Sequence, residues 1–446
     1  MNQIIQKESK SSYIQETASK FLDRETAGGL ILIVATILAL IIGNSSWAET
    51  YHHILEEKFL FGFSDSLTFE LTIEQWINDG LMVIFFLVAG LELKREILVG
   101  ELSSFKKASM PLLAAIGGML MPAVIYTIFN VGSENAHGWG VPMATDIAYS
   151  LGIIGLLGKR VPTQVKTFLI ALAIADDLGA ILVIAFFYSS DISWLHLGIS
   201  GGLFVMLMAM NKFGFKSLFW YIPIGIVLWY FTLKGGIHPT IAGVLFAISI
   251  PVKPKLDSKI LKDRTVQNVE KLEHTDIEHR DPMQDIEQRE ILENMKKDTN
   301  KSRPPLIKLE NALIEFNTFF VIPIFAIANA GVALDINIIE VITGSVGLGI
   351  ILGLIVGKAL GISLFSYIGY KLGIAELNKS ISWGHILGIG FIAGIGFTMS
   401  IFITNLAFYD AEVVKLSKIS ILIASLVAVV NGLITMLIVK PKETAT

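Results

Sequence analysis

The sequence contains no cysteine, which excludes disulfides, thiolate metal sites and thiol chemistry. Charge is scarce: Asp, Glu, Lys and Arg make up 17% of the residues, against about 25% in ordinary soluble domains. The net charge of −4 gives no basic surface of the kind that binds nucleic acid. No cleavable signal peptide is evident, because residues 1–20 are polar and mixed in charge and the first long apolar run begins near Ala27. What fills the chain instead is apolar. Of 446 residues, 53% are hydrophobic and mean hydropathy is +0.64, which places it among polytopic membrane proteins.

Twelve apolar spans are expected, at about 26–43, 74–98, 108–130, 140–157, 165–188, 193–211, 217–233, 236–252, 306–330, 341–370, 383–408 and 412–439. The fold class is therefore an all-α membrane protein, and an even span count puts both termini on one side. Basic residues say which. Lys94, Arg95, Lys106, Lys107, Lys159, Arg160, Lys166, Lys212, Lys216, Lys371, Lys379, Lys440 and Lys442 follow even-numbered spans. The loops after odd-numbered spans are poor in them, with Lys58, Lys234, Lys415 and Lys418 as exceptions. Lys and Arg mark cytoplasmic loops, so both termini are expected inside.

The organisation that follows is a cytoplasmic segment 1–25, spans one to eight over 26–252, a charged insert 253–305, spans nine to twelve over 306–439, and a cytoplasmic tail 440–446. The insert reads as a spacer containing one solvated helix. The outer loop 44–72 ends in a weakly alternating stretch, 61–71, that suggests a hairpin and a contact between copies.

Within this apolar frame, buried charge is the functional signal. Asp176 and Asp177 sit midway along the fifth span, where one carboxylate costs roughly 2.5–3.5 kcal/mol on insertion scales. Neighbours on a helix point about 100° apart, so the two acids cannot do the same work. Asp146 lies in a span with Pro142 and several glycines, expected to be interrupted; Lys358 lies in the middle of span ten; Gly388 to Gly396 give span eleven a second break signature. Free half-helix ends carry partial charges, which Asp146 suits at positive ends and Lys358 at negative ones. Spans four, five and ten are thus expected to converge.

Seven stretches, in order on the expected spans, carry a resemblance. They are Asn78-Asp79-Gly80-Leu81-Met82 with Phe85-Phe86; Gly90-Leu91-Glu92-Leu93-Lys94-Arg95-Glu96; Ala144-Thr145-Asp146-Ile147-Ala148; and Asp176-Asp177-Leu178-Gly179-Ala180-Ile181. Then come Pro323-Ile324-Phe325-Ala326-Ile327-Ala328-Asn329-Ala330-Gly331-Val332, Gly357-Lys358-Ala359-Leu360-Gly361-Ile362 and Gly394-Ile395-Gly396-Phe397-Thr398-Met399-Ser400-Ile401-Phe402. Along almost its whole length the chain resembles the NhaA-type Na+/H+ antiporters. In secondary transporters, that family among them, paired interrupted spans mark an inverted repeat with a midplane ion site; here they are spans four and eleven.

The resemblance implies roles. Asp177 matches the principal sodium ligand and proton carrier, and Asp146 and Thr145 match groups at the cation site. Asp176 matches the acid paired with the tenth-span lysine, Lys358. Glu92 and Glu310 match acids at the cytoplasmic mouth linked to pH response, and His238 falls where a histidine affects pH dependence. No cofactor is implied; the substrates are protons and Na+ or Li+, the setting is the bacterial plasma membrane, and the assembly is a homodimer. The chain departs from some members, which carry histidines just after the residue matching Glu310; Asn311 and Ile314 stand there. The insert is also longer than the resemblance leads one to expect.

Each residue has a plainer reading too. Asp176 with Lys358 reads as a structural ion pair or as a proton carrier. Thr145 reads as a backbone hydrogen-bonder, Glu92 and Glu310 as interfacial acids, and His238 as a structural neighbour of Pro239. Asp79 reads as an acid at the outer helix end. Burial lifts a carboxyl by as much as about 3–5 pH units from about 3.9, enough for protons and sodium to compete for one acid near cellular pH. An intramembrane aspartyl protease would also bring two acids together, as Asp146 and Asp177, but the adjacent Asp176, the buried Lys358 and the missing Gly-x-Gly-Asp context speak against it. A proton-coupled solute symporter would need a roomier polar pocket.

Overall fold

In a lipid environment each backbone polar group must be satisfied within its own segment, so the apolar runs become helices. The computed structural model describes residues 26–62, 68–189, 192–273, 286–335, 337–378 and 380–439. The expected cytoplasmic segment 1–25 and tail 440–446 lie outside the described residues.

Helix α1 is Thr26–Gly43. The antiparallel hairpin follows, β1 (Lys58–Gly62) with β2 (Thr68–Thr72), in the register Lys58 to Thr72 and Gly62 to Thr68. Lys58 and Glu70 close an ion pair of 2.7 Å across it. Next are α2 (73–99), α3 (Phe105–Asn130), α4 (Ile147–Leu156), α5 (Thr163–Phe187), α6 (Trp194–Lys212), α7 (Leu218–Lys234) and α8 (Thr240–Ser249). The insert contributes α9 (Ser258–Glu273) and α10 (Ile286–Ser302). The chain then continues as α11 (Pro305–Ala330), α12 (Ser345–Lys371), α13 (Trp383–Ala393), α14 (Phe397–Ala407) and α15 (Ala411–Ile438).

Among the described residues, seven helices are long and apolar enough to cross a membrane, and eight if α13 and α14, bent by 47° at their junction, count as one. The other expected spans are built differently. α8 has 10 residues, about 15 Å at 1.5 Å per residue, or half a hydrocarbon core. α4 also has 10, because residues 134–143 before it form a 3₁₀ helix and 144–146 are extended. α2 is long, but carries Glu74, Asp79, Glu92, Lys94, Arg95 and Glu96.

Among its described residues the insert holds two helices rather than the one expected. Leu261, Thr265, Asn268 and Leu272 of α9 are half-buried on one face, and Gln288, Ile291, Met295 and Asp298 lie on the inward face of α10. These three- and four-residue spacings give each helix a single stripe, and Arg264 pairs with Asp298 at 3.0 Å. Its neck is closed by backbone: Leu256 N–H donates to Lys301 O at 3.0 Å, and Leu306 N–H to Pro251 O at 3.1 Å.

Two further features set the site. α3 and α12 meet backbone to backbone, since a Cβ at Gly117 would lie 2.2 Å from Gly361 O and one at Gly361 2.0 Å from Gly117 O. Small residues permit that approach, and it carries Lys358, one turn before Gly361, into the core. The turn just before Lys358, Gly353–Gly357, is a wide π turn, as are Trp76–Leu81 and Asn317–Val321; such turns recur at functional sites.

Candidate functional site

The extended residues 144–146 and the break 394–396 between α13 and α14 touch: Asp146 N–H donates to Ile395 O at 2.7 Å. Four half-helix ends therefore meet in one place. Broken ends expose unpaired N–H and C=O groups, and the nearby side chains satisfy them by sign. Asp146 Oδ1 accepts from Tyr149 N–H at 2.9 Å, capping α4. Its Oδ2 accepts from Thr398 N–H at 3.1 Å and from the Thr398 hydroxyl at 2.5 Å, at the start of α14. One carboxylate thus closes two positive helix ends.

The negative end is met by hydroxyls. Ser150 Oγ donates to Ile392 O at 3.1 Å, and Thr145 Oγ1 lies 2.9 Å from Ala393 O. Thr145 Oγ1 also lies 2.6 Å from Asp176 Oδ2 and accepts from Lys358 Nζ at 2.9 Å. A hydroxyl has one proton, so Thr145 donates either to the helix end or to Asp176. Lys358 Nζ forms a direct ion pair with Asp176 Oδ2, both groups excluded from solvent. The lysine therefore reaches the negative helix end through Thr145.

Asp177 stands apart from this network. It is buried, and its Oδ2 has no hydrogen-bond partner in the protein. It lines a cavity of about 50 Å³ together with Glu92, Asn317 and Thr318. One water needs about 10–15 Å³ by this measure, so a few waters or a partly hydrated alkali ion fit.

The remaining candidates divide between the two ends of the bundle. On the insert side, Glu310 pairs with Arg95 at 2.9 Å, and Arg95 lies 3.5 Å from Glu96. Lys94 Nζ donates to Ile248 O and Ile250 O at 2.5 Å each, fastening α2 to the end of α8. On the hairpin side, His238 Nε2 is 3.4 Å from Asp79 Oδ1, its Nδ1 bonds the Thr240 hydroxyl at 2.8 Å, and its ring meets Phe402 edge-on. The structure thus joins Asp146, Thr145, Asp176 and Lys358, sets Asp177 and Glu92 on one cavity, places Glu310 beside Arg95, and leaves His238 away from both. Sequence reasoning missed Thr398, Ser150, Asn317 and Thr318. Only Thr398 carried a signal, as a hydroxyl opening the helix after a glycine break.

The chain's residues 19–436 match the family model described as Na+/H+ antiporter 1. The chain belongs to the Na+/H+ antiporter 1 family. This is a family of ion exchangers, not of enzymes. Among its similar relatives is the Na(+)/H(+) antiporter NhaA of Christiangramia forsetii, 65% identical over 442 residues, 99% of this chain and 98% of that one. NhaA 2 of Helicobacter hepaticus is 44% identical, with 96% and 97% covered, and NhaA of Helicobacter acinonychis is 45% identical, also with 96% and 97% covered. The helical structure, with its seven or eight membrane-capable helices among the described residues, is consistent with that family.

Proposed function

We propose that the protein exchanges external protons for internal Na+ or Li+, with the two ions competing for Asp177. The observation that carries this reading is the buried, unpartnered Asp177 oxygen on a cavity shared with Glu92. Asp146 is taken up by two helix ends and Asp176 by Lys358, which leaves Asp177 as the acid free to take either ion. A hard cation prefers oxygens. Asp177 supplies one, and Asp146 and Thr145 are the further donors once they exchange their present hydrogen bonds for the cation.

The finer reading is a twelve-span inverted repeat with spans four and eleven discontinuous, both termini cytoplasmic, in a bacterial plasma membrane and assembled as a homodimer through the hairpin. The insert is a cytoplasmic spacer, and Glu92, Glu310 and His238 tune the pH response. If two protons exchange for one cation, one net charge enters per cycle, worth about 2.3 kcal/mol at 100 mV; the second proton rides on Asp176 or Lys358, or is shared with Asp146.

The test is exchange in everted vesicles read with a pH-sensitive dye. Asp177→Asn is expected to abolish Na+-triggered proton release, while the parent protein shows it. Ordinary exchange by the variant would refute the assignment of the site.

A further inference from the structure

Seen from the cavity at Asp177, the opposite direction is closed by two layers. The first is apolar. Phe86, Phe325 and Phe402 are buried, with ring centroids 5.6 Å apart for Phe86 and Phe402 and 6.2 Å for Phe325 and Phe402. The second is a chain of amides. Asn405 Nδ2 donates to Asn329 Oδ1 at 2.6 Å, and Asn329 Nδ2 donates to Asn78 Oδ1 at 2.9 Å and to Phe325 O at 3.1 Å. Asn329 is buried, while Asn78 and Asn405 are half-buried.

The two layers come from the same three helices. α2 carries Asn78 and Phe86, α11 carries Phe325 and Asn329, and α14 carries Phe402 and Asn405. Phe85 of α2 and Ile322 of α11 are the cavity residues nearest the hairpin end on those helices. Asn78 and Asn329 lie seven residues beyond them, which is about 10 Å along a helix. The amide chain therefore stands on the hairpin side of the phenylalanines, across the line from Asp177 to that face.

We propose that Asn78, Asn329 and Asn405 are the latch that closes the transport path on the hairpin side, and that α11 must part from α2 and α14 there in each cycle. Asn329 is the central member, since its oxygen and its amide nitrogen hold different helices. The chemistry suits a seal that opens to water repeatedly. An amide exchanges a protein partner for water at small net cost. Once apart, the three side-chain oxygens face the path, which is what a departing hard cation needs.

This rests on the reading of the protein as an antiporter, and the experiment separates the two. The absence of cysteine makes the full chain its own background. Asn78→Cys/Asn329→Cys is reconstituted in liposomes and joined with a short, reductant-cleavable bis-methanethiosulfonate linker. Na+-driven proton exchange is expected to fall at least fivefold on linking and to return on reduction; a smaller loss overturns the latch. If the unlinked pair does not exchange, Asn405→Cys is labelled from the hairpin side with a membrane-impermeant maleimide, in the presence and absence of a Na+ gradient. A labelling rate that changes with the gradient supports the latch, and an unchanged rate overturns it. Failure of the parent protein to exchange would remove the antiporter reading itself.

Discussion

Replacing Lys358 by methionine leaves the Asp176 carboxylate buried with the Thr145 hydroxyl as its remaining side-chain partner. Asp176 Oδ1 already lacks a partner, so no second group can take up the load. Removing one member of a buried ion pair costs about 3–5 kcal/mol, because the survivor keeps its desolvation and loses its counter-charge. Asp176→Asn should cost a comparable amount by stranding the lysine. Neutralising both together removes the charge without leaving an orphan, and such replacements are often neutral or better. Asp176→Asn/Lys358→Met is therefore expected to be more stable than either single variant by at least about 2 kcal/mol. The assay is thermal unfolding of the four proteins purified in one detergent, at fixed pH and at two salt concentrations, since a buried pair is little screened. Losses that simply add, leaving the double variant least stable, would show that the pair is not coupled and that the geometry at Thr145 has been misjudged. The same proteins test transport: if Lys358→Met still exchanges with a rate that responds to membrane potential, the lysine is not the obligatory carrier of the second proton.

Three other expectations follow from contacts at the breaks, the helix crossing and the insert. Thr398→Val removes the hydroxyl bond to Asp146 but keeps the Thr398 and Tyr149 N–H bonds; it should lower stability by about 1.5–3 kcal/mol, the range for a hydrogen bond to a charged group, read by thermal unfolding. Gly117→Ala drives a methyl against Gly361 O and should cost about 1–3 kcal/mol as overpacking does, with slower exchange because Lys358 is displaced; unchanged melting would contradict the close crossing. Residues 257–300 can be replaced by a tight turn, because Leu256 and Lys301 are already joined through their backbones; exchange in vesicles should stay within twofold, and a larger loss would show that the insert is more than a spacer.

Much was legible in the chain because membrane burial makes each ionisable residue conspicuous. Asp146, Asp176, Asp177 and Lys358 stand out against apolar neighbours, and the cost of burying them forces partners or function. Pro142 precedes the extended residues 144–146, and the glycines before Phe397 lie at the bend between α13 and α14; the hairpin begins at Lys58, ahead of the alternating stretch 61–71. Helix lengths were less legible. The short α8 reads as an ordinary apolar run, since hydropathy does not register where a backbone stops being helical. The second insert helix was hidden for the opposite reason: its face is narrow and its composition that of a solvated segment.

The sequence alone thus determined that this is a polytopic membrane chain with three acids and one lysine deep within it, because composition and spacing act through the local cost of putting charge in hydrocarbon. Tertiary structure decided how the work is divided among them. Asp146 closes two helix N-termini, Asp176 holds Lys358 beside Thr145, and Asp177 keeps an oxygen unpaired on a small cavity. Residues hundreds of positions apart make those bonds, and only the fold brings them within reach.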